Sequence, residues 1–295
     1  MKKKKEQVNI LITTDDNYLE HAMDLLYSIK QNNDFFINLY LIYNDLSYEG
    51  IEKLKSFLLE KDIGTLKPYY LDLNEYNLPI YKKYMSRTIY CRLFAPFIID
   101  EKIDRILYLD CDIICTGNIS GFYNSSFGEK IIVACENLVP EKEGDFNGWR
   151  NMELDLPKKN FYINSGVLLI NVNKYKKFTN VQTIINYIEN YYDRLFMHDQ
   201  DILNKMFFKN IKKADIKYNY QINSIDSLID NVDCRLVHYS EQKKPWNNDY
   251  CDLDRAKYYY RFLKDKGEVL RLKNLLKANI NNKKESYIDD IINNL

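Results

Sequence analysis

Apolar and polar positions alternate along the first hundred residues in a way that predicts strands separated by helices. Residues 8–14 form a β-branched apolar run that ends in polar side chains, which indicates a buried strand. Apolar residues then recur at helical spacing over 18–30, and Ser47 begins a second helical stretch. Two further strands are predicted at 36–43 and near 68–71. Strands that alternate with helices form parallel βαβ units, so we expect an α/β fold.

The same pattern continues to about residue 250. The predicted strands are 105–109, 131–135 and 167–170, and the predicted helices are 89–99, 180–192 and 202–208, the first of them kinked near Pro96. Because no repeat or Gly/Ser-rich linker interrupts residues 1–250, we predict one domain there. Residues 251–295 are predicted to be a basic amphipathic helical tail, since the segment 255–284 carries ten Lys or Arg against two acidic residues.

Charge and cysteine content narrow the classes of function. The 42 basic residues balance 42 acidic ones, so the chain as a whole is not a polyanion binder. The six cysteines form no CxxC pair, which predicts buried free thiols in a reducing compartment. No run of ~18 apolar residues is present to span a bilayer, and the apolar run after the N-terminal lysines is too short for a secretory signal. We therefore predict a cytoplasmic protein, with peripheral contact at the inner face of the membrane left open.

One acidic cluster follows the predicted strand 105–109. Asp110 and Asp112 flank Cys111, and residues two apart on an extended segment point the same way, so both carboxylates can converge on one divalent cation. Such a cation neutralises a diphosphate leaving group. Asp-x-Asp also occurs at 199–201 and 252–254, so the tripeptide by itself is equally consistent with an ordinary turn or a helix cap.

A second polar cluster, Thr14-Asp15-Asp16-Asn17, follows the first strand. Either Asp16 or Asn17 is expected to cap the following helix, which leaves its neighbours free to meet a base or a ribose.

The three histidines differ in their surroundings. His21 lies in the first helix and is expected to be structural, and His198 precedes Asp199, a suitable helix cap. His238 follows an apolar run and precedes Lys244-Pro245-Trp246, so it could complete a metal site while a lysine meets phosphate. A satisfied core or surface histidine remains the alternative.

Taken together, six ordered motifs resemble the family-eight retaining glycosyltransferases, the group that includes bacterial lipooligosaccharide galactosyltransferases and glycogenin. The motifs are TTDDNY (13–18), YCRLFAPFII (90–99), RILYLDCDII (105–114), FYINSGVLLINVNKY (161–175), HDQDILN (198–204) and VHYSEQKKPW (237–246). The resemblance covers about residues 8–250. It implies a GT-A fold, that is, a Rossmann-like nucleotide-binding domain with a mixed, mainly parallel sheet. It also implies transfer of a hexose, glucose or galactose, from a UDP-sugar to a glycan, lipid-linked or protein acceptor.

The resemblance also implies roles for particular residues. The implied ligands of Mn²⁺, with Mg²⁺ as the alternative ion, are Asp110, Asp112 and His238. The implied donor-binding residues are Thr13, Thr14, Asp15 and Asn17 at the nucleoside, Arg92 at the sugar or diphosphate, Lys244 at the phosphate, and Asp110 and Cys111 beside them. The implied catalytic residues are Asn164 and Asp199, which would hydrogen-bond the transferred sugar, and Gln200, which would lie beneath the anomeric carbon.

Two positions depart from the family pattern. Glu241 stands where the family commonly has a glycine near the phosphate, and Asn137 stands where some relatives have an acceptor-side aspartate. Glu241 keeps open a sugar-nucleotide-binding protein or a UDP-sugar hydrolase with little transfer activity. A metal-dependent phosphohydrolase is a further alternative. A glycosidase fits less well, because Asp110 and Asp112 are too close for its two carboxyl groups. The acceptor is expected to bind through variable loops such as 137–160.

Overall fold

The structure is a computed structural model that describes residues 5–79, 86–225, 233–248, 250–279 and 285–295. Its strands are β1 (Glu6–Thr13), β2 (Phe35–Tyr43), β3 (Gly64–Tyr70), β4 (Arg105–Leu109), β5 (Ile113–Cys115), β6 (Ile132–Glu136), β7 (Ile163–Asn171), β8 (Ile211–Lys213), β9 (Tyr220–Gln221) and β10 (Leu236–His238). Its α-helices are α1 (Leu19–Asn32), α2 (Tyr48–Glu60), α3 (Cys91–Ile98), α4 (Ser120–Tyr123), α5 (Phe146–Glu153), α6 (Val172–Phe178), α7 (Val181–Asn190), α8 (Asp199–Phe207), α9 (Leu253–Lys266), α10 (Val269–Asn279) and α11 (Glu285–Asn294).

The main sheet of the described residues has the strand order β3-β2-β1-β4-β7-β6-β8. β1 pairs in parallel with β2 and β4, β2 with β3, and β6 with β8, whereas β7 is antiparallel to both β4 and β6. The sheet is therefore mixed and mainly parallel, as predicted. The chain leaves β1 towards β2, and β4 lies on the other side of β1. The carboxyl ends of β1 and β4 thus form the switch point at which open α/β sheets bind ligands.

Helices cover both faces of this sheet. Side chains of α1 and α2 form one buried cluster with alternate residues of β1, β2, β4 and β7. Side chains of α3, α6, α7 and α8 form another cluster on the opposite face. Eight consecutive residues of β7, from Ile163 to Ile170, are buried. A strand covered on both faces reads as a continuous apolar run, which is why 167–170 was recognisable in the sequence.

A small second sheet holds β5, β10 and β9 in that order. The C-terminal helices pack on it: Val237 and Tyr239 share a buried cluster with Tyr259 and Leu263 of α9 and with residues of α10 and α11. The leucines of the predicted tail therefore pack in the same buried cluster as the small sheet, whose strand β10 ends in His238. The division of the chain into one domain of residues 1–250 and a tail of residues 251–295 stays a prediction.

Many basic side chains of the tail have partners within the protein. Lys266 Nζ lies 2.7 Å from Asp24 Oδ1 and Arg271 Nη1 lies 3.1 Å from Asp24 Oδ2, where Asp24 is a buried residue of α1. Lys273 and Lys277 pair with acidic residues of α11. The charges thus help to hold α9–α11 together and against the rest of the protein.

Several sequence predictions are confirmed. The strand 105–109 has the predicted bounds, α3 contains Pro96, and the side chain of Ser47 caps α2 by accepting a hydrogen bond from Gly50 N. The six cysteines are free, five of them buried. No helix among the described residues is long and apolar enough to cross a membrane.

Two predicted helix caps are wrong. α1 begins at Leu19, and the residue before it, Tyr18, makes no side-chain cap. The chain first turns at Asp15, whose Oδ1 accepts a hydrogen bond from Tyr18 N at 3.0 Å. The Asp16 carboxylate instead accepts from Ser47 N and Oγ. At α8 the cap position belongs to His198, and Asp199 is already inside the helix.

Candidate active site

The candidate site lies at the carboxyl ends of β1 and β4. Cys111, the residue between the two aspartates, is buried, and its Sγ lies 3.4 Å from the carbonyl oxygen of Thr13 at the end of β1. β5 begins directly after Asp112, and its antiparallel partner β10 sets His238 opposite Ile113. The main and small sheets thereby bring Asp110, Asp112 and His238 together, with one ligand atom of each residue within 4.8 Å of the others.

Each aspartate has one anchored oxygen and one that faces this centre. Asp110 Oδ1 accepts from Tyr108 Oη at 2.5 Å and lies 2.9 Å from Arg92 Nη2, whereas Asp110 Oδ2 faces His238 Nε2 at 3.8 Å. Asp112 Oδ2 accepts from Lys244 Nζ at 2.6 Å, whereas Asp112 Oδ1 lies 3.1 Å from His238 Nε2. Two oxygens and one imidazole nitrogen therefore converge on a common point.

This donor set fits a divalent cation. Asp112 Oδ1 is buried and has no hydrogen-bond donor among the described residues. Carboxylates suit Mg²⁺ and Mn²⁺, and imidazole suits transition-metal ions, so Mn²⁺ matches both ligand types. Although burial opposes ionisation, the Lys244 ammonium beside it holds the pKa of Asp112 far below its usual range. Asp112 is thus a carboxylate and a competent ligand.

Arg92 joins the metal side to a second set of buried polar residues. Its guanidinium is 5% exposed, lies 2.9 Å from Asp110 and 3.2 Å from Asp199 Oδ2, and donates to the carbonyl oxygen of Ser165. The contact with Asp199 is ionic without hydrogen-bond geometry, because Arg92 Nε points to the carbonyl oxygen of Ile89. Burial raises the pKa of Asp199 to about 6 against the opposing charge of Arg92.

Asp199 and Gln200 begin α8 beside β7, the strand that carries Asn164. Gln200 Oε1 accepts from Ser165 N at 3.1 Å, while Gln200 Nε2 is buried and has no partner among the described residues. Immediately before α8, His198 has a φ of 52°, a left-handed conformation that is costly for a non-glycine residue and often occurs at functional sites. An unsatisfied buried amide beside a strained turn is the kind of group that a bound ligand completes.

The predicted nucleoside residues lie at the end of β1. Thr14 is buried, Asp15 is partly exposed, and Asn17 is exposed. Thr13 Oγ1 lies 3.3 Å from Tyr108 Oη, which itself contacts Asp110. The predicted nucleoside residues therefore begin, at Thr13, beside the candidate metal ligands.

The structure also shows which way Glu241 points. Its Oε1 accepts from Ser224 Oγ at 3.3 Å, and it lines an open cavity of about 330 Å³ together with Lys142, Lys243 and Arg255. The carboxylate is exposed and has a partner of its own, so it is not held against Lys244.

Gly166 and Asn219 belong to the site but were not predicted. A Cβ on Gly166 would stand 2.3 Å from His238 Cε1 and 2.7 Å from Asp110 Oδ2, so only glycine leaves room for both. Asn219 Oδ1 lies 2.8 Å from His238 Nδ1. The Asn-Ser-Gly run at the start of β7 could have indicated Gly166, whereas nothing in the sequence around Asn219 indicates its role.

A partly exposed aromatic cluster lies on the segment 137–160, where the acceptor is expected. The rings of Phe146, Trp149 and Phe196 contact one another with centroids 5.6–6.2 Å apart, and Trp149 and Phe196 are 41% and 44% exposed. Phe196 lies three residues before Asp199 in the chain. The cluster therefore borders the segment that leads into α8.

Comparisons with known proteins agree with this geometry. Residues 9–250 match the family described as "Glycosyl transferase family 8". General stress protein A of Bacillus subtilis is 24% identical over 276 residues, which covers 88% of this chain and 94% of that protein. A lipopolysaccharide 1,2-glucosyltransferase of Escherichia coli is 28% identical over 279 residues, which covers 86% of this chain and 77% of that protein. The crystal structure of the galactosyltransferase LgtC in complex with donor and acceptor sugar analogs superposes with a TM-score of 0.75 at 22% identity, over 88% of this chain and 96% of that one.

The chain belongs to glycosyltransferase family 8, because the family match spans most of its length. Its fold is the GT-A fold of its structural neighbours, as the motifs implied. The individual roles of the site residues stay predictions.

Proposed function

We propose that this chain is a metal-dependent, retaining hexosyltransferase that moves glucose or galactose from a UDP-sugar to a carbohydrate acceptor. The observation that carries the proposal is the convergence of Asp110 Oδ2, Asp112 Oδ1 and His238 Nε2 at the switch point of the sheet. The similarity to a lipopolysaccharide 1,2-glucosyltransferase and to the galactosyltransferase LgtC supports the hexose.

In this proposal the three ligands hold Mn²⁺, which supplies positive charge to the leaving diphosphate. Lys244 adds a second positive charge beside Asp112. Thr13, Thr14, Asp15 and Asn17 bind the nucleoside at the end of β1, next to Cys111. Donors that are fixed before the reaction stabilise a developing charge without reorganising, which is the main source of catalysis in such sites.

The sugar is bound on the side of Arg92, Asp199 and Gln200. Asp199 is held by Arg92, so its carboxylate is available to hydroxyl groups rather than to the anomeric carbon. Gln200 presents an unsatisfied Nε2, and an amide is a poor nucleophile. We therefore favour attack from the same face as the leaving group. The bond between the anomeric carbon and the phosphate oxygen breaks, the acceptor oxygen bonds to that carbon, and the acceptor's proton passes to the leaving phosphate oxygen.

The proposed acceptor is a glycan or a glycosylated lipid or protein that binds along segment 137–160. Contact of α9–α11 with anionic lipid at the membrane surface is a separate proposal, supported by the number of basic residues in this segment. Lys266 and Arg271 are already paired with Asp24, so less charge is free than the sequence suggests.

The test is release of UDP from UDP-glucose and UDP-galactose with Mn²⁺ or with EDTA. We expect release with Mn²⁺, none with EDTA, and a loss of more than about 100-fold in Asp112→Asn, because even outer-shell partners of a metal contribute 10- to 100-fold. Asp254→Asn is a matched control, since Asp254 belongs to another Asp-x-Asp and is exposed. Undiminished release in EDTA would refute the proposal. Metal-dependent UDP binding without any release would favour the binding-protein alternative.

A further inference from the structure

A buried chain of side chains connects the backbone of β7 to the imidazole of His238. Gly166 N donates to Asn164 Oδ1 at 3.0 Å, and Asn219 Nδ2 donates to the same oxygen at 2.9 Å. Asn219 Oδ1 lies 2.8 Å from His238 Nδ1. Asn219 is 0% exposed and directly precedes β9, which pairs with β10 and sets Gln221 opposite His238.

The direction of every hydrogen bond in this chain follows from its first member. A backbone N–H can only donate, so the atom of Asn164 that faces Gly166 N is the oxygen. The atom of Asn219 that approaches this oxygen must then be the amide nitrogen, which turns Asn219 Oδ1 towards His238. Since that oxygen can only accept, His238 Nδ1 carries the proton.

With the proton on Nδ1, the neutral imidazole has its lone pair on Nε2. This nitrogen faces Asp112 Oδ1 at 3.1 Å and Asp110 Oδ2 at 3.8 Å. Both neighbours are acceptors, so none of the three atoms supplies a proton to the others. The arrangement is satisfied by a cation at their common point.

We propose that Asn219 is a positioning residue that fixes His238 in the Nδ1–H tautomer and thereby prepares Nε2 as a metal ligand. The proposal rests on the metal centre of the proposed function. Outer-shell partners that donate to or accept from a ligating imidazole orient the ring and raise its basicity. In this protein the partner is a neutral amide that is itself held by the backbone of β7.

The same chain limits what Asn164 can do for the donor sugar. Both lone pairs of Asn164 Oδ1 are used by Gly166 N and Asn219 Nδ2, so only its Nδ2 is left to meet a ligand. Asn164 Nδ2 lies 3.5 Å from Asn137 Oδ1, a long contact that a sugar hydroxyl could replace. The metal side and the sugar side of the site therefore share one residue, Asn164, which the hydrogen bonds of this chain hold in place.

The first test is spectroscopic and needs neither metal nor substrate. In protein labelled with ¹⁵N-histidine, long-range ¹H–¹⁵N spectra at mildly alkaline pH distinguish the two tautomers, and the chain has only three histidines to assign. We expect His238 to carry its proton on Nδ1 in the metal-free protein. A proton on Nε2 would overturn the assignment of Asn219, whatever the enzyme's activity.

The second test measures Mn²⁺ affinity by EPR titration. Asn219→Leu keeps the approximate volume but removes both hydrogen bonds, and we expect Mn²⁺ to bind about 10- to 100-fold more weakly. Asn33→Leu is the control, because Asn33 is also a buried amide with two hydrogen-bond partners, Ile29 O and Ile119 N, neither of which belongs to a site residue. We expect it to lose stability and keep its Mn²⁺ affinity.

The outcomes separate this inference from the proposed function. Equal Mn²⁺ affinity in the wild-type protein and folded Asn219→Leu contradicts the positioning role alone. If the wild-type protein has no Mn²⁺ affinity, the metal centre itself is contradicted, and the positioning role fails with it. If Asn219→Leu does not fold, Asn219→Asp retains an acceptor for His238 Nδ1 and is expected to keep the Nδ1–H tautomer, and a proton on Nε2 in that variant contradicts the proposal.

Discussion

Replacing Gly166 with alanine tests whether the candidate ligands must approach as closely as they do. The new Cβ would lie 2.3 Å from His238 Cε1 and 2.7 Å from Asp110 Oδ2, whereas ordinary contact begins at 3.4 Å. The imidazole must therefore move by about 1.1 Å, the difference between the two distances to Cε1. Metal sites tolerate deviations of only about 0.2 Å in ligand distance, so a shift of this size removes a ligand.

We expect Gly166→Ala to bind Mn²⁺ about 100-fold more weakly, which corresponds to ~2.7 kcal/mol of binding free energy. Overpacking should also lower the free energy of unfolding by about 1–3 kcal/mol. The assay is an EPR titration of free Mn²⁺, carried out well below the midpoint of thermal unfolding of each variant.

Two glycines serve as controls for the alanine substitution. At Gly121 the nearest atom to an added Cβ is Tyr218 Oη at 3.7 Å, so Gly121→Ala is expected to be neutral. At Gly117 the added Cβ would crowd the guanidinium of Arg235 at 2.6 Å, away from the ligands, so Gly117→Ala should affect stability without affecting Mn²⁺. A folded Gly166→Ala protein with wild-type Mn²⁺ affinity would refute the reasoning.

Three further predictions concern stability and surfaces. Burial, with the nearby charge of Arg271, lowers the pKa of His21 to about 4, so the unfolded chain binds a proton between pH 6.5 and 4 that the folded protein does not. The free energy of unfolding should therefore rise with pH across this window, by at most about 3 kcal/mol. In urea titrations, His21→Gln should flatten the slope of this free energy against pH, and an unchanged slope would exclude His21 as its cause. Asp24→Ala should lower the free energy of unfolding by roughly 3 kcal/mol, because two cations lose a buried partner, and a change near zero would show that α9–α11 do not depend on it. The intact protein should co-sediment with anionic but not neutral vesicles at low salt if α9–α11 meet lipid, and failure to do so would leave these helices a packing role alone.

The sequence predicted those strands and helices that are long enough to show an apolar run or a helical periodicity of their own. β1, β2 and β4 are mainly apolar runs, and α1 and α2 have apolar residues at helical spacing, so their order alone predicted parallel pairing. β5, β9 and β10 have only two or three residues, too few for any periodicity, although they decide where His238 lies. Helix α5 escaped prediction because it has only eight residues, most of them polar or aromatic.

Site residues that lie in recognisable motifs could be predicted from the sequence. Those whose position depends on how the strands pair could not. Asp110 and Asp112 stand out because they end an apolar strand, and His238 was placed with them only by the order of the motifs. Asn219 lies in a polar segment with no distinguishing neighbours, and its role appears only when β9 and β10 pair. The helix caps predicted at Asp16 and Asp199 were wrong because a side chain that favours a cap can equally accept from another segment, as Asp16 does from Ser47, or pair with an arginine, as Asp199 does with Arg92.

Binding of UDP measured by isothermal titration calorimetry, with Mn²⁺ and then with EDTA, tests the central claim most directly. If Asp110, Asp112 and His238 hold the cation that receives the diphosphate, UDP should bind in Mn²⁺ and should lose its measurable affinity both in EDTA and in Asp112→Asn. UDP binding of equal strength with and without the metal would contradict the claim.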